Sequence, residues 1–128
     1  MNDGSWMSDE LKWIGRAEEL EIASLRQDGT LHKPRTIWVV RVGDDLYVRS
    51  VNGRGSDWFR GVLTRHEGRI QAGGVERDVS FIEVTDAATQ AQIDAAYREK
   101  YRRQPKEYVD ACLTPQALVA TIRLVPRF

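Results

Sequence analysis

At 128 residues, 41% hydrophobic and 30% charged, the chain is long enough for one domain with a real core and too short for two ordinary ones. Nineteen Lys and Arg balance nineteen Asp and Glu, so no global field draws it to nucleic acid or to an anionic membrane. Any anion site must then be a local cluster, and the lone Cys112 excludes an intramolecular disulfide or a cysteine metal cage. The N-terminal MNDGSWMSDE is acidic and lacks the apolar centre of a signal peptide. No apolar run reaches the length of a membrane span. A soluble, cytoplasmic, single domain over 1–128 is expected, with residues 1–18 as a helical N-terminal extension.

Ser8 reads as an N-cap, with Asp9 and Glu10 in the positive first turn of a short amphipathic helix over 9–19. ELEIASL follows as a first strand, and RQDGTLHKPR as a loop turning at Asp28-Gly29. TIWVVRV, residues 36–42, is almost entirely β-branched or aromatic and reads as a central strand buried on both faces, with Trp38 in the core. Gly43-Asp44-Asp45 turns the chain into LYVRSV, where Leu46 and Val48 alternate with Tyr47, Arg49 and Val51.

Residues 49–61, RSVNGRGSDWFRG, admit two readings. Asn52-Gly53 is a hairpin signal, yet the residues after it do not alternate. Trp58, Val62 and Leu63 fit one helical face, and Ser56-Asp57 makes a helix start. A strand-to-helix corner follows, whose exposed N–H groups and arginines 49, 54 and 60 could hold an anion. The same arginines could equally be a solvated rim, and Asp57 would repel an anion there.

Residues 68–72 and 75–84 form a second hairpin across Gly73-Gly74, with a bulge expected in its longer strand. Asp86 caps a helix striped by Ile93, Ala96, Tyr97, Lys100 and Tyr101, which Pro105 stops, and residues 120–126 close the chain as a strand. The aromatic and basic residues 97–108 pack one face on the sheet while their charged ends reach water. His32 and His66 have no ligand-spaced partners, and no nucleophile elbow is present, so neither a metal nor a catalytic triad is expected. Strands cluster in hairpins instead of alternating with helices, which argues for an α+β barrel or sheet.

TIWVVRVGDDLYVRSVNGRGSDWFRGVL, EGRIQAGGVERDVSFIEV, a long helix and a closing TIRLVPR together resemble the flavin-binding split β-barrel proteins. This group includes the pyridoxamine-phosphate-oxidase-like proteins and the deazaflavin-dependent nitroreductases, and the chain looks like an uncharacterised bacterial branch of it. The resemblance implies a six-stranded antiparallel split β-barrel with flanking helices, commonly a homodimer, binding FMN or a deazaflavin and transferring hydride to a small-molecule substrate. It implies that Arg35, Arg49 and Arg54, with Lys33, neutralise the cofactor phosphate. Ser50, Asn52 and Gly53 would give close hydrogen bonds, and Trp58 would flank the ring. The Gly-Arg-Lys-Ser-Gly phosphate loop of the deazaflavin relatives is absent, which leaves a cofactorless binding or assembly module of the same fold as the alternative. No side chain is nominated as catalytic acid or base, and neither a nucleic-acid nor a membrane partner is expected.

Overall fold

Residues 36–42, read as one strand, form two. In the computed structural model, which describes residues 5–127, β1 (Glu19–Ser24) pairs antiparallel with β2 (Arg35–Trp38). One residue later β3 (Val40–Val42) pairs with a different strand, β4 (Asp45–Arg49), across the Gly43 turn. The other strands are β5 (Glu67–Ala72), β6 (Val75–Glu83) and β7 (Thr121–Pro126). The sheet order is β2-β1-β5-β6-β7-β4-β3, antiparallel throughout. Its two end strands are thus separated in the chain by Val39 alone, and two residue steps span at most about 7 Å. The sheet must curl until its ends meet, and β2 does come back against β4. The result is a nearly closed split barrel of seven strands among the described residues, not six.

The break at Val39 corrects the expected central strand, since both halves lie at sheet ends and Arg35 and Thr36 are exposed. Its backbone is diverted to side chains. The Val39 N–H donates to the Tyr101 hydroxyl (3.1 Å), and its carbonyl accepts from Lys100 Nζ (2.6 Å). Buried peptide groups need such partners when they leave a ladder.

Alternation places the core. Leu20, Ile22, Leu46, Val48, Ile70, Val79, Phe81, Ile122 and Leu124 all point into the barrel and are almost wholly buried. Two helices cover this interior. One is α1 (Ser8–Arg16), which contributes Leu11 and Ile14, and the other is α2 (Asp57–Arg65), which contributes Phe59 and Val62. Burying each of these large side chains contributes about 1.5–3 kcal/mol. The first helix starts one residue earlier than expected, with Met7 as N-cap and Glu10 accepting its N–H (3.0 Å). It also ends early, at Arg16, because Ala17 is extended. Residues 1–4 of the expected N-terminal extension lie outside the described residues.

Outside the barrel, Val40 and Tyr47 form a second apolar cluster with α3 (Ala87–Lys100) and α4 (Lys106–Ala111). Asp86 caps α3 as expected, accepting from Thr89 N–H at 2.8 Å. A short α5 (Pro115–Leu118) leads into β7. The expected bulge is not there: β6 keeps unbroken register with both neighbours, and Ile82 is simply an outward residue, 42% exposed. Among the described residues, no helix is long and apolar enough to cross a membrane.

Candidate functional site

The strand-to-helix corner forms as the non-alternating residues require. After β4, one 3-10 turn (Gly53–Gly55) leads through the N-cap Ser56 into α2. Asn52 has φ −91°, so this is not the hairpin turn its Asn-Gly pair suggested, which needs positive φ at both residues. Gly53 alone has positive φ (79°), and a Cβ there would lie 2.6 Å from Gln116 Cγ. Ser50 is buried, and its hydroxyl donates to the Gly53 carbonyl (2.7 Å) and pairs with Ser56 Oγ (2.8 Å). These bonds fix the corner from within.

A cleft of about 440 Å³ opens beside this corner. Its walls come from β2 (Thr36, Ile37, Trp38), from the corner (Ser50, Val51, Asn52, Trp58) and from Tyr108 and Ala111 on α4. Arg49, Tyr97 and Cys112 form its floor, and Glu18, Glu19 and Gln104 its rim. It occupies the split itself, between the end of β4 and the free edge of β2. The volume lies in the ordinary range for small-molecule sites, which are largely apolar with a few fixed polar groups. Trp38 is stacked on Tyr101 with ring centroids 3.8 Å apart, so one face of its indole is already covered. Tyr108 is 59% exposed, and Trp58 sits edge-on to buried Phe59.

The predicted binding residues separate into four places. Ser50, Asn52, Trp58 and Arg49 line the main cleft. Lys33 and Arg35 lie in a smaller trough with Arg26, His32 and Ser24, which shares Trp58 as its wall. There Lys33 makes no hydrogen bond or ion pair among the described residues, while Arg35 stands 3.8 Å from Asp57. Gly53 is packed under Gln116, behind the cleft lining.

Arg54 points elsewhere, into a second cleft lined by Glu83, Gln90, Asp94 and Val119, where it holds Glu83 (2.6 Å) and the Val119 carbonyl (2.8 Å).

Arg49 has a different task from the one expected of it. Its Nε donates to Thr121 Oγ1 (3.0 Å), Nη1 to Asp94 (2.6 Å) and the Cys112 carbonyl (2.9 Å), and Nη2 to the Gln90 carbonyl (3.4 Å) and Oε1 (2.6 Å). A guanidinium has five N–H donors, and all are engaged. The side chain is fully buried against the Tyr97 ring. It braces the floor of the cleft and has no donor left for a phosphate. Burial also pushes the Cys112 thiol up to about 11, and the Tyr97 phenol well above its ordinary value, so both stay neutral at pH 7.

The rim was not legible from sequence, because Glu18 read as the end of the first helix and Glu19 as the start of the first strand, with nothing to show which strand Glu19 would face. In the structure Glu19 opens β1 directly opposite Trp38, on the same face, and Glu18 accepts from Gln104 Nε2 at 3.1 Å.

Three solved structures share the fold at low sequence identity. The conserved hypothetical protein Rv2991 from Mycobacterium tuberculosis superposes with a TM-score of 0.70 at 11% identity, over 98% of this chain and 84% of that one. A putative pyridoxamine 5'-phosphate oxidase from Listeria innocua gives 0.64 at 14% identity, over 92% and 90%. An "F420-H2 Dependent Reductase" gives 0.63 at 12% identity, over 84% and 93%. A search of curated proteins finds no match. The fold these structures share is the split barrel, and residues 10–124 match the family model described as "Uncharacterized protein conserved in bacteria (DUF2255)", so the chain belongs to that family.

Proposed function

We propose that the main cleft binds the ring system of a flavin-type cofactor, FMN or a deazaflavin, and that the protein is an oxidoreductase acting on a small molecule. The observation that carries this reading is an apolar, aromatic-walled cleft joined through Trp58 to a trough whose lining holds three cations, Arg26, Lys33 and Arg35, against one carboxylate, Asp57. The ring would lie against Ile37, Trp38 and Trp58, and the anionic tail over Lys33 and Arg35. Arg49 and Arg54 leave the phosphate-binding set, since one is wholly engaged and the other faces the second cleft. When bound, such a cofactor supplies hydride transfer, and the protein supplies position and shelter. Ser50 and Ser56 keep the corner rigid, while the aromatic walls exclude water. The fold neighbours named as a pyridoxamine-phosphate oxidase and an F420-H2-dependent reductase support the cofactor class. We further propose that the working form is a cytoplasmic homodimer.

Titrating the purified full chain with FMN and with a deazaflavin, followed by absorbance, tests this. Micromolar binding is expected, and Lys33→Ala with Arg35→Ala should weaken it by roughly tenfold, the scale of one lost charge-assisted hydrogen bond. No affinity below millimolar for either cofactor would contradict the reading. That outcome would favour a cofactorless binding module, for which the internal engagement of Arg49 and the acidic rim already speak.

A further inference from the structure

The charge of the main cleft is the reverse of the one expected from its arginines. Among the described residues Arg49 is the only cationic one in its lining, and its guanidinium is fully buried, contacts Asp94 at 2.6 Å and keeps no free donor. Lys33 and Arg35 lie beyond Trp58, in the neighbouring trough. Two carboxylates remain at the rim, Glu18 and Glu19, both on exposed residues. Cross-strand pairing puts Glu19 beside Trp38, and Gln104 steadies one oxygen of Glu18 while leaving the other open. Between these carboxylates and the corner stand three aromatic rings with accessible surface, Trp38, Trp58 and Tyr108.

An aromatic wall with carboxylates at its mouth attracts a cation through the ring quadrupoles and by direct charge. It opposes an anion for the same reasons. We propose that the substrate of this cleft is a small organic cation, an alkylammonium or an N-alkylated aromatic ring, packed against Tyr108 at the mouth of the cleft, outside the position given to the cofactor ring, and neutralised by Glu18 and Glu19. The proposal rests on the cleft being the ligand site and names the substrate class. The cofactor tail, being anionic, takes the opposite end, past Trp58.

The test is calorimetric titration of the full chain with benzyltrimethylammonium and with phenylacetate, an anion of similar size, each with and without FMN. The cation should bind at least about tenfold more tightly than the anion. Glu18→Gln and Glu19→Gln should each weaken cation binding by roughly three- to tenfold at low salt, and Tyr108→Leu by a similar factor. All three positions are exposed, so folding should persist, which a thermal melt checks. Equal affinity for phenylacetate, unchanged affinity in both Gln variants, or no cation binding at millimolar concentration would each overturn the proposal. Cation preference that survives a failed FMN titration would uphold it while removing the cofactor reading. FMN binding without cation preference would remove this proposal alone.

Discussion

Arg49 ties β4 to three parts of the chain that are distant in sequence: β7 through Thr121, α3 through Gln90 and Asp94, and the end of α4 through the Cys112 carbonyl. Such a buried charge is tolerated only when paired and fully hydrogen-bonded, as it is here. Arg49→Met should therefore lower stability by about 3 kcal/mol, because it strands Asp94 and the Cys112 carbonyl together. Urea unfolding measures this. Unchanged stability, with only ligand affinity lost, would return Arg49 to the phosphate-binding set. Sequence could flag Arg49 as notable but not as buried, since its partners lie 41 to 72 residues away. The Ser50-to-Ser56 corner was more legible. Its Asn-Gly pair pulled toward a hairpin, and the loss of alternation at Trp58 and Phe59 pulled correctly toward a helix.

Among the elements, α3 sets the shape of the rim. Lys100 Nζ donates to the carbonyls of Ala17 and Val39, both at 2.6 Å, and the Tyr101 hydroxyl bonds Val39 and the Glu18 carbonyl (2.7 Å). One helix end thereby holds the sheet break and the backbone of Glu18 at the mouth of the cleft. Burial lowers Lys100 from 10.5 to about 8, against a smaller opposing pull from Glu18. Between those two values the unfolded chain binds the extra proton, so stability from this group rises with pH. The stability difference between wild type and Lys100→Met should be flat below pH 8 and should grow in favour of wild type from pH 8 toward 10. Above that, Tyr97 and Tyr101, whose burial raises their pKa values, lower the stability of both proteins alike. A difference that stays flat across pH 8 to 10 in denaturant titrations would contradict the Lys100 assignment. This clamp explains why the sheet break escaped the sequence: no Gly or Pro marks Val39, and its partners lie about sixty residues on.

For the molecule as a whole, the hairpins, the helix order and the α+β class follow from local signals such as turn residues, alternation and an N-cap, while the split barrel is read from the family resemblance. Closure does not follow from local signals, because it depends on which end strands meet. Curling the sheet brings the exposed face of β2 opposite the corner after β4, and the split between them becomes the cleft. The acidic rim follows from the same event, once Glu19 pairs with Trp38. A cleft formed this way should be the place where a flat ligand binds, in preference to the larger cleft at Arg54 or the charged surface around Arg69 and Arg127. The most direct measurement is an NMR titration of the isotope-labelled full chain with FMN. Shifts should concentrate on the Trp38 and Trp58 indole N–H signals and on the backbone of Val51, Asn52 and Tyr108, with Lys33 and Arg35 following. Shifts centred instead on Arg54, Glu83 and Val119, or no shifts at millimolar FMN, would contradict the assignment of the split as a flavin site.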